Sequence, residues 1–198
     1  MVGNDIVDLN LAQRNAWRQK RFLDKVLVPS EQEALKNSSD PARLLWVLWS
    51  MKESAYKLHF RKRLKRALNP TRFTCFLEGD IEPGFEGELR GRVEVGEQVY
   101  RTNSKIFKNY VHTTATQNTS RALMAIDEVT AESSNEIRQK TIHNLVRSFS
   151  YANGLDSLQL NFIKDKNGLP FLTHEPTGDS HACSISHHGR YGAFAIAW

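Results

Sequence analysis

The chain has 198 residues, of which 40% are hydrophobic and 25% are charged, and its formal net charge is +5. This length and apolar content suffice for one sizeable core or two small ones, which excludes a disordered or fibrous protein. No stretch approaches the ~18 consecutive apolar residues of a membrane-spanning helix, and the cysteines show no paired spacing. We therefore expect a globular, cytoplasmic protein without a membrane partner, and its positive charge favours an acidic partner.

The first third of the chain predicts one strand followed by helices. Apolar residues interrupted by acids over residues 2–9 are typical of a short strand. Helices are expected over residues 11–27 and from Ser30 onward, where Ser30 would be the N-cap and Glu33 would complete a capping box. A third helix is expected over residues 41–68, between an Asp-Pro start and an Asn-Pro end.

The third helix is largely apolar, but one of its faces carries an acid and a base. Glu53 and Lys57 are four residues apart, so they lie on one side of the helix about one turn from each other. Lys52 and Tyr56 are beside them. An exposed ion pair, worth only ~0.3–0.5 kcal/mol, explains this spacing as well as a chemical site does. The spacing alone leaves both interpretations open.

The end of this helix is strongly basic, because residues 61–66 hold five positive charges in six positions. Cations at a helix C-terminus are favourable by ~0.3–1 kcal/mol each. Five charges exceed what the helix dipole requires. We therefore predict a docking surface for an acidic partner along this run.

The remaining sequence predicts mostly strands around one further helix. Strands are expected over residues 73–77, 87–95, 99 onward, 105–114, 122–126, 158–163 and 183–198, with a loop over residues 79–87. A linker over residues 129–135 leads to a helix over residues 135–152, which an Asn-Gly pair ends. This order predicts an α+β protein with two unequal lobes, residues 1–128 and 129–198.

Three segments spread along the chain carry a family resemblance. They are Gly-Asn-Asp-Ile-Val at 3–7, Trp-Ser-Met-Lys-Glu-Ser-Ala-Tyr-Lys at 49–57 and Ser-Ile-Ser-His-His-Gly-Arg at 184–190. Together they resemble the 4′-phosphopantetheinyl transferase superfamily. The resemblance implies two pseudo-symmetric lobes, each with helices packed on an antiparallel sheet. It also implies Mg²⁺-dependent transfer of the phosphopantetheine arm of coenzyme A to a serine of an apo acyl or peptidyl carrier protein, with release of adenosine 3′,5′-bisphosphate.

The order of these segments differs from that of the two-lobed, surfactin-synthetase-type members. There the Gly-Lys-Pro and Ser-His segments precede the aspartate strand and the Lys-Glu helix, whereas here they follow, as in a circular permutation. The shorter holo-acyl-carrier-protein-synthase members share the present order but resemble single-fold chains that form trimers. The length of this chain favours a pseudo-twofold monomer, with a trimer as the alternative.

The resemblance also implies roles for residues of the first lobe. Mg²⁺ typically takes one or two protein carboxylates, and the resemblance assigns Asp5 and Glu53 to the metal. Lys57 would hold the diphosphate with help from Lys52. Either Glu53, through a water, or Lys57 would take the proton of the attacking serine, and the sequence does not decide between them. The second acid of the larger members is replaced here by Val7.

In the second lobe, Ser186 and His187 match a Ser-His pair that resembles a clamp for the 3′-phosphate of coenzyme A. Arg138 matches a basic phosphate contact, although a solvated helix face explains it equally well. Leu169 stands where the family has the lysine of Gly-Lys-Pro, so Lys166 or its neighbour Lys164 would supply that charge. Arg190 is expected close enough to contribute, and His188 is expected to be structural.

Two other function classes remain as alternatives. One is a catalytically inactive module that binds coenzyme A or a carrier protein, which the leucine at position 169 leaves open. The other is a nucleic-acid-binding module, suggested by the basic run. The acids Asp5, Asp8 and Glu53 would repel nucleic acid from such a site, so we expect no nucleic-acid partner. The sequence does not identify the carrier protein.

Overall fold

The computed structural model describes residues 1–13, 17–63, 68–117, 122–129 and 133–198. The helices are α1 (Leu9–Ala12), α2 (Lys20–Val26), α3 (Pro29–Asn37), α4 (Pro41–Arg63) and α5 (Ser134–Asn153). The strands are β1 (Val2–Asp8), β2 (Thr74–Leu77), β3 (Gly87–Val95), β4 (Gln98–Ile106), β5 (Tyr110–Thr116), β6 (Ala122–Glu128), β7 (Leu160–Lys164), β8 (Pro170–His174), β9 (Ser180–His188) and β10 (Tyr191–Ala197). None of the described helices combines the length and apolar character needed to cross a bilayer.

The strands form two antiparallel sheets with the same topology. The orders are β1-β5-β4-β3-β2 and β6-β10-β9-β8-β7. In each sheet a first strand leads through helices to a meander of four strands, and the last strand of the meander returns to pair with the first. The predicted α+β fold with two pseudo-symmetric lobes is therefore confirmed. The sheets divide the chain earlier than residue 128, because β6 pairs with β10 of the second sheet.

The long helix α4 is the centre of the first lobe. It begins as predicted, since the Asp40 carboxylate accepts a hydrogen bond from the Arg43 backbone N–H at 3.1 Å. Leu45, Met51 and Leu58 are fully buried along it. Each buried leucine or methionine of this kind stabilises the fold by ~1.5–3 kcal/mol. The predicted end of the helix falls partly on residues 64–67, which lie outside the described residues.

Gly3 explains how β1 lies so close to this helix. A Cβ atom built on Gly3 would be 2.2 Å from the backbone oxygen of Ser54 on α4. Only glycine leaves room for that approach. The consequence is that Asp5, two residues further along β1, lies beside the α4 face that carries Glu53 and Lys57.

The predicted helical elements before α4 need two corrections. The helix expected over residues 11–27 is two helices, and α1 starts early because the Asp8 carboxylate accepts from the backbone N–H groups of Asn10 and Leu11. The capping box predicted at Ser30 and Glu33 is wrong. Instead, α3 starts at Pro29, and Glu31 accepts the N–H of Val28 at 2.9 Å.

The end of the chain also differs from the prediction. The segment expected to be one strand over residues 183–198 contains most of a hairpin, in which β9 and β10 join at a turn with Gly189 at φ 57°. Strand β8 was not predicted, and the strand expected over residues 105–114 begins only at Tyr110. Helix α5 agrees with the prediction, and Gly154 ends it in the left-handed conformation.

Candidate active site between the two lobes

The acid of β1 and the second lysine of α4 form an ion pair. The Lys57 ammonium donates to the Asp5 carboxylate at 3.1 Å and to the backbone oxygen of Asn4 at 2.7 Å. The side chains of Asp5 and Lys57 are 13% and 28% exposed, so the pair is accessible but largely withdrawn from water. Lys57 thus pairs with the strand, in contrast to an isolated ion pair along a helix surface. This placement brings together two residues that the sequence predicted for the site.

Glu53 is the second carboxylate of this group. Burial and the nearby charge of Asp5 raise the pKa of Glu53 to about 7, and Lys57 acts in the opposite direction. Two carboxylates close together in a partly buried site repel each other. Such a site favours a bound cation, because the cation offsets this repulsion. Val7, at the position of the expected second acid, is a buried core residue.

The donor set agrees with a hard divalent cation. Among the described residues there is no cluster of three or more His, Cys, Asp and Glu side chains able to hold a metal. Mg²⁺ needs only one or two protein carboxylates, since water and phosphate oxygens complete its shell. The close pair Asp5 and Glu53, with its unfavourable mutual charge, therefore fits Mg²⁺.

The opposite wall of the site is β9 of the second lobe. Asn4 joins β1 to this strand, because its backbone N–H donates to Ser184 Oγ at 3.0 Å and its side-chain Nδ2 donates to Ser186 Oγ at 2.9 Å. Ser186 is buried at this junction. The next residue, His187, is exposed. The predicted Ser-His pair is thus split between an interior serine and a surface histidine.

His187 belongs to a surface with positive charge from both lobes. Desolvation lowers the pKa of His187, and the charges of Lys57 and Arg138 lower it further. Arg138 lies on α5, and its guanidinium is 5.8 Å from the ring centroid of Phe162. Cations from α4 and α5 therefore act on His187 of β9, and positive charge from both lobes at one place suits an anionic ligand.

A comparison with protein-family models matches residues 1–115 to the 4′-phosphopantetheinyl transferase superfamily. The chain belongs to this superfamily. A comparison with curated proteins found no match. The matched segment contains Asp5, Glu53 and Lys57 but ends before β9, so the assignment of Ser186 and His187 rests on the resemblance of their short segment. Membership supports a transferase that moves phosphopantetheine.

In this member of the superfamily, Lys52 lies inside the first lobe, although the sequence predicted that it would help to bind coenzyme A. Its side chain is fully buried, and the ammonium donates to Glu31 Oε2 at 2.6 Å, to Val26 O at 2.8 Å and to Pro70 O at 3.1 Å. These three acceptors use all the donors of an ammonium group. Lys52 therefore joins α4 to α3 inside the first lobe and has no donor left for coenzyme A.

Arg61 also departs from its predicted role. The docking surface was expected to begin with this residue, but its guanidinium donates to the backbone oxygens of Pro170, at 2.7 Å, and Cys183 in the second lobe. It lies 5.0 Å from the ring centroid of Phe171. Burial lowers the pKa of Arg61. Arg61 is a link between lobes, and residues 64–66 of the predicted surface lie outside the described residues.

The basic residues expected to replace the missing lysine lie at the turn between β7 and β8. Leu169 is buried there, and Asp165 accepts its backbone N–H at 2.8 Å. Lys164 and Lys166 are exposed, and their contribution to coenzyme A binding stays a prediction. Arg190 forms an ion pair with Glu128, which lies 3.2 Å from its Nε, and the contribution of Arg190 to the site stays a prediction.

His188 is structural, as expected. Its Nδ1 accepts the backbone N–H of Asp8 at 2.9 Å, so the ring ties β9 to the end of β1. Sequence reasoning missed Asn4 and Arg61 as residues that join the lobes. Asn4 stands inside the first recognised segment, and that position was the only signal for it.

A cavity of about 710 Å³ lies elsewhere, between α3, the start of α4 and β2. Its charged lining residues are Glu31, Asp80 and Glu82, and neither lysine nor arginine is among the residues that line it. A polyanion such as coenzyme A would be repelled there. The distribution of charge therefore favours the region around Lys57 and His187 for phosphate binding.

Proposed function

We propose that this chain transfers the 4′-phosphopantetheine arm of coenzyme A to a serine of an apo acyl or peptidyl carrier protein and releases adenosine 3′,5′-bisphosphate. The observation that carries this proposal is the position of the Lys57 ammonium. It is fixed on Asp5, beside the Glu53 carboxylate, and its charge extends to His187 on the other lobe. The carboxylates that would bind a metal cation and the cationic side chains that would bind phosphates therefore lie together at the junction of the two lobes.

Asp5 and Glu53 would hold Mg²⁺, which would neutralise charge that develops on the diphosphate during transfer. Lys57 would contact the diphosphate from its position on Asp5. Because the hydrogen bond to the Asn4 carbonyl keeps the ammonium oriented, little reorganisation is needed when charge develops on the phosphate.

The proton of the attacking serine goes to Glu53, directly or through a water. Lys57 donates to two oxygen acceptors as an ammonium and in that form has no lone pair to accept a proton. The Glu53 carboxylate has lone pairs that can accept this proton. We therefore favour Glu53 over Lys57, the alternative that the sequence left open.

The 3′-phosphate of coenzyme A would bind at His187 and Arg138, with Ser186 behind them and Lys166 at the edge. An anion at this place would favour the charged form of the imidazole, whose pKa neighbouring cations hold down. The carrier protein would be acidic, because the net charge of +5 favours association with an acidic surface. We propose a monomer, since both lobes that form the site belong to one chain.

Intact-mass analysis of a panel of apo carrier proteins tests this proposal. The parent protein, coenzyme A and Mg²⁺ are expected to add one phosphopantetheine arm to at least one carrier, and Glu53→Gln or chelation of the metal is expected to abolish the gain. The exposed Glu33→Gln is the matched control and should retain activity. If no carrier gains mass while coenzyme A still binds, the chain is a binding module and the proposed transfer is wrong.

A further inference from the structure

Asn4 lies where the two lobes meet and is fully buried. It belongs to β1, the edge strand of the first sheet, and it uses the outer edge of that strand. Its backbone N–H donates to Ser184 Oγ on β9 at 3.0 Å, and its backbone oxygen accepts from Lys57 Nζ at 2.7 Å. One residue therefore contacts both the second lobe and the cation of the first.

The Asn4 side chain makes a second connection to β9. Its Nδ2 lies 2.9 Å from Ser186 Oγ and 3.3 Å from Nε2 of His112 on β5. Burial, together with the charges of Lys105 and Lys57, lowers the pKa of His112 to about 3, so the ring is neutral and its Nε2 can accept from the amide.

The buried side-chain amide of Asn4 lowers the stability of the fold. Asn4 Oδ1 is buried and has no hydrogen-bond partner. A buried polar atom without a hydrogen bond costs ~1–3 kcal/mol of folding free energy. An apolar side chain at this position would therefore be more favourable for packing alone. The contact of Nδ2 with Ser186 Oγ links β1 to the segment of β9 that leads into His187, while the contact with His112 holds the amide in place against β5.

We propose that Asn4 is a positioning residue, which holds the Lys57 ammonium and the Ser186–His187 segment in register across the lobes. A ligand with one phosphate group near Lys57 and another near His187 could then bind to the two residues at the same time. This inference rests on the proposed function, because coenzyme A is the ligand with a diphosphate and a separate 3′-phosphate. Substitution of Asn4 keeps its backbone contacts and removes only the side-chain link.

The test compares coenzyme A, which would reach both Lys57 and His187, with inorganic pyrophosphate, which would reach only Lys57. Calorimetry with Mg²⁺ and no carrier measures the dissociation constants of coenzyme A and of inorganic pyrophosphate. Asn4→Ala is expected to weaken coenzyme A binding about tenfold and pyrophosphate binding less than about twofold. In the transfer assay the KM for coenzyme A should rise, and kcat at saturation should stay within about threefold of the parent, since the transfer groups remain in place.

Two further variants separate positioning from general destabilisation. Asn4→Ala combined with Ser186→Ala should bind coenzyme A no more weakly than Asn4→Ala alone, because contacting residues act as one unit. Ser104→Ala removes the buried hydrogen bond, 2.8 Å long, between Ser104 and Thr113 inside the first sheet and is the matched control for stability. It should lower the unfolding temperature without a selective loss of coenzyme A affinity.

If Asn4→Ala does not fold, Ser184→Ala removes the acceptor of the Asn4 backbone N–H and should show the same selective loss. Unchanged coenzyme A binding in the altered proteins would overturn the proposal. It would also be overturned if Asn4→Ala and Ser104→Ala both weakened the binding of coenzyme A and of pyrophosphate to the same extent. A parent protein that neither binds coenzyme A nor modifies a carrier would overturn the proposed function, and this inference with it. A parent that is active, with variants that bind normally, would overturn the inference alone.

Discussion

The ammonium of Lys52 lies 2.6 Å from the Glu31 carboxylate, and both side chains are at most 3% exposed. Glu31 also accepts the backbone N–H of Cys75 on β2 at 2.8 Å. The pair therefore ties α3, α4 and the edge of the first sheet together. The residue after Lys52, Glu53, lies on the helix face of the proposed site, so we infer different roles for these adjacent residues of one helix.

Lys52→Met is expected to destabilise the protein by about 3–5 kcal/mol, because it leaves the Glu31 carboxylate buried without its partner. Adding Glu31→Gln should recover part of this loss, since the remaining group is then neutral. Urea unfolding measures both effects. The folded fraction of Lys52→Met should bind coenzyme A like the parent, whereas weaker binding at unchanged stability would show that Lys52 is a site residue after all.

Glu53→Gln is expected to stabilise the metal-free protein at alkaline pH. The folded-state pKa of Glu53, about 7, lies above its ordinary value of 4.5, so folding favours the protonated carboxyl group. Its contribution to stability is complete below about pH 4.5 and is lost as the pH rises through about 7. The variant should exceed the parent by up to about 3 kcal/mol at pH 8 and by little at pH 4.

Urea unfolding at several pH values in the presence of a chelator measures this difference, with Glu33→Gln as the exposed control. Added Mg²⁺ should reduce the difference by stabilising the parent. Equal stability of Glu53→Gln and the parent at pH 8 would contradict the like-charge arrangement of Asp5 and Glu53.

Binding of adenosine 3′,5′-bisphosphate is expected to strengthen as the pH falls. The pKa of His187 is lowered by desolvation and by Lys57 and Arg138, and a bound phosphate raises it by favouring the charged imidazole. By linkage, affinity increases as the pH drops from the pKa of the bound form toward the lower pKa of the free protein. Calorimetry between about pH 8 and pH 5 tests this, since the interval brackets the ordinary histidine pKa.

His187→Gln should remove most of this pH dependence. His143→Gln, which changes an exposed histidine on α5, is the matched control and should leave it in place. The same pH dependence in His187→Gln and in the parent would place the phosphate away from His187.

Gly3→Ala is expected to damage both stability and activity. The added Cβ would lie 2.2 Å from the Ser54 backbone oxygen, so β1 must move away from α4. Overpacking of this kind costs about 1–3 kcal/mol, and the shift would separate Asp5 from Lys57. Thermal unfolding and the transfer assay measure the two effects. Gly79→Ala, whose Cβ would meet only the end of the Leu89 side chain, should be milder, and an unaltered Gly3→Ala protein would refute the close approach.

The sequence predicted the architecture well because strand and helix patterns repeat with clear periods. Helix α4 begins with an Asp-Pro signal, α5 ends at Gly154, and the three recognised segments led to the correct superfamily. The β9–β10 hairpin was missed because Gly189 and Gly192 were interpreted as residues within one strand. The positive φ of Gly189 marks the turn at which the chain reverses.

The site was predicted less completely because sequence spacing gives the face of a helix and not what covers it. Lys52 and Lys57 look equivalent in the motif, but α3 covers one of them and the lobe junction leaves the other partly open. Arg61 was grouped with a basic surface although it binds carbonyls of the second lobe. Such contacts span more than a hundred residues and carry no local signal.

A crystal structure with coenzyme A and Mg²⁺ tests the central claim most directly. We expect the cation on Asp5 and Glu53, the diphosphate at Lys57, and the 3′-phosphate beside His187 and Arg138. Coenzyme A bound elsewhere, such as in the acidic cavity between α3 and β2, with the lobe junction left empty, would contradict the account.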